Sequence, residues 1–220
     1  MPKTVDPEQR RNDIADATIA AILRGGVGEA SLRNVAAEAG LAIGSVRHYF
    51  PSHAEVVDFA MRRLAERISV RVLEAAQPLI DNPSALDDRE RREAAEATLS
   101  QLLPLDAQRS QESAAWLALV AASRTDPDLR PIARKLRDGT RAVAGRFLAR
   151  IQQREHLAPG SAVLEVETER LAALLDGLTA DAVLHPDRLQ PETMRAVLRR
   201  HLDSLTGATA EPSAESEGHG

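Results

Sequence analysis

The stretch from Ser31 to Leu64, SLRNVAAEAGLAIGSVRHYFPSHAEVVDFAMRRL, carries so much helix punctuation that it leaves little choice of local fold. Ser31 can cap a helix, because its hydroxyl accepts from the unpaired amides of the opening turn. Leu32, Val35, Ala36 and Ala39 then repeat at helical spacing, which predicts one buried face. Gly40 follows at once, and glycine tolerates the left-handed conformation that ends a helix and turns the chain sharply. A second short helix is predicted from about Ile43 to Phe50, with Val46 and Phe50 inward and Ser45, Arg47 and His48 on other faces. Pro51 stops it. Ser52 and Glu55 form an S-x-x-E capping box that opens a third, longer helix.

Composition extends this reading to the whole chain. Hydrophobic residues make up 43% of the 220, yet aromatics only 2%. Alanine and leucine must therefore do most of the packing, which favours helices over sheets. The absence of cysteine excludes disulfides, thiolate catalysis and cysteine-ligated zinc. No apolar run is long enough to span a bilayer, and MPKTVDPEQRR lacks the apolar core of a signal peptide, so a soluble, cytoplasmic protein is expected. The net charge of −5 argues against indiscriminate nucleic-acid binding. From Ser31 to His53, however, Glu38 is the only acid against Arg33 and Arg47.

The string from Gly40 to Phe50, about forty residues from the N-terminus and followed by an all-helical chain, resembles the DNA-binding domain of the TetR family of bacterial transcriptional regulators. Ala36, Gly40, Gly44, Ser45, Tyr49, Phe50 and the helix start after Pro51 carry the likeness, which is close over residues 8 to 65. The resemblance implies that Ile43, Gly44 and Arg47 face base edges, and that Arg33 can also reach a base. A guanidinium suits that role, since it can donate two hydrogen bonds to guanine. By the same resemblance Ser45, His48, Tyr49 and His53 touch phosphates, which fix register without reading sequence; Tyr49 is equally open to packing under the motif. Two positions depart from the family pattern. Ala42 replaces a hydroxyl-bearing cap, and His53 replaces a lysine, exchanging a permanent charge for a switchable one; operator affinity is therefore expected to depend on pH.

Asp6 and Pro7 start the first helix, Ile14, Ala17, Thr18, Ala21 and Ile22 make its buried stripe, and Gly25 with Gly26 ends it. Arg10 and Arg11 read as a solvated surface pair, or as an arm to DNA. The helix opened at Ser52 is predicted to run to about Gln77, with residues 78 to 88 as a loop. Further helices are expected through ERREAAEA to Leu99, Leu102 and Leu103, from Ala107 to Arg124, and from Asp126 and Pro127 to Ile151. Two more follow, breaking at His185 and Pro186. The segment TDPDLRPIARKLRD resembles the C-terminal domain of the betaine-regulator-like subgroup. The expected architecture is all-α, about nine helices, with an N-terminal three-helix helix-turn-helix domain (1–52), a helical ligand-binding and dimerisation domain (53–206) and a disordered tail (207–220).

The resemblance implies a homodimer that binds a palindromic operator on double-stranded DNA, more often as a repressor, and is released by a small-molecule effector. Trp116 offers a rigid aromatic face to such an effector, among Leu99, Leu103, Val120, Thr140, Phe147 and Asp176, though it reads as well as a large core residue. Arg137 and Arg141 suggest an anion site or a solvated face. Leu171, Leu174, Leu178, Ala182, Val197, Leu198 and Leu202 are expected at the dimer interface. No cofactor or metal is expected: Asp181 and His185 lie one turn apart, but no third ligand accompanies them. The rival readings are an effector-independent DNA-binding protein, a helical adaptor acting through protein contacts, and a small helical enzyme.

Overall fold

A computed structural model describes residues 6–81, 84–151 and 161–205, with side chains omitted at 150 and 151. Among these residues the chain forms α1 (Pro7–Gly25), α2 (Leu32–Glu38), α3 (Ile43–Tyr49), α4 (His53–Asp81), α5 (Asp88–Leu99), α6 (Ala107–Ser123), α7 (Arg130–Ile151), α8 (Ala162–Leu184) and α9 (Pro191–Leu205), with three short 3-10 turns between them. The expected tail lies outside the described residues.

The caps predicted at Asp6 and Ser31 are in place, accepting from the Glu8 and Asn34 amides. Asp106 and Ser161 cap α6 and α8 in the same way, accepting from the Arg109 and Leu164 amides. The α2 end is a Schellman motif: Gly40 has φ 64°, the Leu41 amide donates to Ala36 O at 2.8 Å, and the Gly40 amide donates to Ala37 O at 3.2 Å. The box at Ser52 is only half closed. Ser52 Oγ accepts from the Glu55 amide at 3.2 Å, but it also donates to the Glu55 carboxylate at 3.1 Å, which keeps that carboxylate from the backbone. A complete box occurs instead at Asp87 and Glu90, opening α5.

Three boundaries differ from expectation: α5 ends at Leu99, with Ser100–Leu102 a 3-10 turn, and Pro127–Leu129 is a 3-10 turn ahead of α7. The third is that of α4, which does not stop before Pro78 but continues through it to Asp81. A proline so near a C-terminus deletes a single hydrogen bond. Leu79, buried in the core below, and a 2.6 Å hydrogen bond from Gln77 Nε2 to Asp81 Oδ1 hold the last turn.

Two hydrophobic cores result. The upper gathers Ile14, Ile22, Val35, Val46, Phe50, Val57, Met61 and Leu64 of α1 to α4 together with Ala115 and Leu119 of α6, Leu129 and Ile132. The helix-turn-helix head is thus seated on α6 and the start of α7. The lower gathers Leu79, Leu99, Leu103, Phe147, Leu148, Leu171, Leu175, Met194 and Leu198 from α4, α5 and α7 to α9. α4 and α7 both contribute to the two cores, and α4 is the one of the pair that starts directly after the helix-turn-helix, with Val56, Val57 and Ala60 in the upper core and Leu79 in the lower.

Candidate nucleic-acid interface and cavity

The short helix α3 is held by its inner side. Val46 is fully buried and Phe50 nearly so, while Ile43, Gly44, Ser45, Arg47 and His48 are exposed. Arg33, on α2, is exposed as well, and neither Arg33 nor Arg47 has a hydrogen bond or ion pair with another described residue. Both guanidiniums therefore keep all their donors available. α3 opens at Ala42 without a side-chain cap, leaving its first amides open to an outside acceptor. Gly44 is informative in a different way. Its φ is not positive, and a Cβ added there would meet nothing within 4 Å. Neither conformation nor packing among the described residues demands glycine there, and its exposed face is open to a close approach from outside.

Tyr49 is half-buried against the upper core, with the His48 ring edge-on to it at 5.3 Å between centroids. It packs under the motif, as one of its two readings had it. His53 is also half-buried, and its Nε2 lies 3.1 Å from the Val27 carbonyl. That contact ties the start of α4 to the turn after α1 and leaves only Nδ1 for an outside partner. Arg11 is neither a free arm nor a solvated charge: its guanidinium sits over Phe59 and Phe50, 4.6 and 5.1 Å from the ring centroids. A bridge from Arg24 Nη1 to Glu38 Oε2 at 2.6 Å fixes α1 to α2.

Between α4, the 3-10 turn at Ser100–Leu102, α6, α7 and α8 lies a cavity of about 680 Å³. Leu64, Ile68 and Val72 of α4 line it, with Leu103, Trp116, Leu136, Val143 and Leu175 opposite. Of the residues expected around an effector, Trp116, Leu103, Thr140 and Asp176 line this space. Leu99 and Phe147 do not: they are buried in the lower core. Val120 does not either, being on the exposed side of α6. An apolar residue on a helix reports burial of its face, not what that face is buried against.

The cavity wall also holds a buried ion pair that sequence reading missed. Arg71 of α4 donates to both oxygens of Glu112 on α6, at 3.0 and 2.7 Å, and Gln108 donates to the same carboxylate at 3.1 Å. The signal was present: Glu112 is an acid one turn before Trp116, on the same face as Ala115 and Leu119. Asp176 has its carboxyl raised above the ordinary range by burial, against the opposing pull of Arg137, which donates to it at 2.6 Å. Arg137 and Arg141 remain a partly solvated face, but their charges are paired and not free for an anion. Both bridge from α7 to Glu169 on α8.

Part of the expected dimer face requires a similar correction. Leu171, Leu178, Leu198 and Leu202 pack inside the protomer, in the lower core, and Leu174, Ala182 and Val197 are half-buried at its edge. The exposed side of α8 is a separate stripe, with Val163, Val166, Ala173, Gly177 and Leu184 open to solvent. Asp181 and His185 hold each other, with Oδ1 and Nδ1 2.9 Å apart. Among the described residues no group of three metal-ligating side chains occurs, and no helix is long and apolar enough to cross a membrane.

Comparison with known proteins bears on this geometry directly. The family model described as "Bacterial regulatory proteins, tetR family" matches residues 14–60, and that described as "BetI-type transcriptional repressor, C-terminal" matches residues 91–207. The chain is 32% identical to the HTH-type transcriptional regulator PksA of Bacillus subtilis over 206 residues, 93% of this chain and 94% of that one. It belongs to the TetR family of transcriptional regulators. Among solved structures of the same fold, a transcriptional regulator from Rhodococcus sp. Rha1 is 30% identical, with a TM-score of 0.73 over 92% of this chain and 99% of that one. The multidrug binding protein EbrR, complexed with ethidium, is 28% identical, with a TM-score of 0.60 over 90% and 99%. Membership makes this a DNA-binding helix-turn-helix transcriptional regulator and not an enzyme, with α2 and α3 as its reading head.

Proposed function

We propose that the chain is a cytoplasmic homodimeric repressor that binds a palindromic operator and is released by a small molecule held in the cavity. The observation that carries this reading is the course of α4. Val56, Val57 and Ala60 at its start pack under the reading head, and Leu64, Ile68, Arg71 and Val72 further along line the cavity. One helix therefore meets both the DNA-reading element and the space available to a ligand. A guest that binds more tightly when α4 is displaced shifts the heads out of register; only such a difference in affinity can move the equilibrium. A coupling of about 1 to 3 kcal/mol would weaken operator binding roughly 5- to 150-fold. The ethidium complex of EbrR and the repressor description of the matching C-terminal family model support the effector and the sign of regulation.

Dimerisation is assigned to the exposed stripe of α8, Val163, Val166, Ala173, Gly177 and Leu184, with the groove between α8 and α9. A helix that is apolar nearly all round is covered on both sides, and α8 covers only one against its own core. Two heads related by that axis would enter successive major grooves about 35 Å apart. Selection of bound DNA from a random pool tests the reading. An enriched inverted repeat with half-sites about one turn apart is expected; enrichment of no palindrome would overturn it.

A further inference from the structure

We infer that the cavity takes a single-chain amphiphile with an anionic head, its tail against Trp116 and its head at the α7 rim between Lys135 and Arg146. The inference rests on the cavity being the ligand site proposed above and adds the chemical class of the ligand. The interior supplies an apolar tail site of ordinary size for a small molecule, since such sites run to about 300–1,000 Å³.

The charges decide the head. The carboxylates facing inward are already engaged: Glu112 by both nitrogens of Arg71, and Asp176 by Arg137. Two of the lining cations are engaged as well. Arg109 donates to Asp106 and to the Ser100 carbonyl, and Arg62 donates to Asp58. Lys135 and Arg146 are different. Both line the cavity, both are exposed, and neither has a hydrogen bond or ion pair with another described residue. At positions 135, 139, 142 and 146 they share one face of α7 with Gly139 and Ala142 between them. A Cβ at Gly139 would meet nothing within 4 Å, so there is room for a head group between the two cations. Glu66 of α4 is the one lining acid without such a partner among the described residues, one negative charge against two positive. Val70 and Leu73, both more than half exposed, add an apolar lip from α4 where a tail would enter.

Trp116 is the single tryptophan of the chain and lines the cavity, so in the folded protein a ligand there is read from one emitter. The test titrates the full-length protein with decanoate, decanol and decyltrimethylammonium, each below its micelle concentration, and then repeats this for the Lys135→Ala/Arg146→Ala double variant. Decanoate is expected to bind about tenfold more tightly than decyltrimethylammonium, with the double variant bringing decanoate to the level of decanol and leaving decanol unchanged. Both side chains are exposed, and unchanged decanol binding certifies the fold of the variant. Equal or tighter binding of the cationic amphiphile, or decanoate binding indifferent to the double variant, overturns the inference. If decanoate binds as expected but operator affinity is unaffected, the ligand class stands and the effector reading falls. If none of the three probes perturbs Trp116, the ligand class falls and the effector reading does not fall with it.

Discussion

Arg71 and Glu112 face each other across the cavity wall in a two-pronged ion pair, Nη1 to Oε1 at 3.0 Å and Nη2 to Oε2 at 2.7 Å, which joins α4 to α6. The pair lies deep, with the Glu112 side chain 8% exposed and that of Arg71 24%. Removing one partner of such a pair leaves the other charge desolvated without compensation. Because Arg71 keeps some contact with solvent, Glu112→Gln is expected to lower stability by about 2 kcal/mol, below the full buried-pair range. Urea unfolding followed by Trp116 emission measures it. A change under about 0.5 kcal/mol, the ordinary range for a surface substitution, would show the pair to be dispensable.

Gly40 and Gly44 should respond in opposite directions. Gly40 holds φ 64° in the Schellman turn, so Gly40→Ala is expected to lower stability by about 1 to 2 kcal/mol. Gly44 is helical with open space around it, so Gly44→Ala should raise helix stability by about 0.5 to 1 kcal/mol while weakening operator binding. Thermal unfolding and operator titration of both variants check the pair of signs. Undiminished operator affinity in Gly44→Ala would remove the argument that this position approaches DNA.

The stripe on α8 makes a third expectation. Val166 is 64% exposed in the protomer, so Val166→Glu should leave helicity unchanged and convert a dimer to a monomer in sedimentation velocity. A variant that remains dimeric would move the interface elsewhere.

Acid should weaken the protein through His201. Burial, and then the nearby Arg170, hold its imidazole below the usual 6.5, with Glu167 opposing, and its Nε2 is buried without a hydrogen-bond partner among the described residues. The folded chain thus binds fewer protons there than the unfolded chain. That contribution to stability is complete above about pH 6.5 and is lost as pH falls toward the lowered value. His201→Gln should flatten the decline in stability between pH 7 and 5; an equally steep decline in the variant would assign it to other groups.

The reading head was legible because each of its turns is marked by a residue whose reason is local: Ser31 as a cap, Gly40 as a left-handed stop, Pro51 as a breaker. Periodicity likewise located the buried face of α1, where Ile14, Ala17, Thr18, Ala21 and Ile22 are all buried. What it could not provide was the partner of each face. Leu99, Phe147, Leu171 and Leu198 carry the same apolar signal whether they meet a ligand, a twin or their own core, and here they meet the core. Pro78 shows the reverse case, a strong local stop overridden by the burial of Leu79. The fates of Arg11, Arg137 and Arg141 were equally beyond the sequence, since Phe59 and Glu169, which engage them, come from other helices.

The central claim is that Arg47, exposed on α3 with all its donors available, reads a base within a specific site. The most direct measurement is the affinity of the original chain and of Arg47→Ala for the selected palindrome and for unrelated DNA, across a series of salt concentrations. Loss of a two-pronged contact to guanine costs about 1 to 3 kcal/mol per half-site, so the variant should lose at least roughly tenfold at the palindrome. Its binding to unrelated DNA should change little. Equal affinity of the two chains for the palindrome would contradict the account.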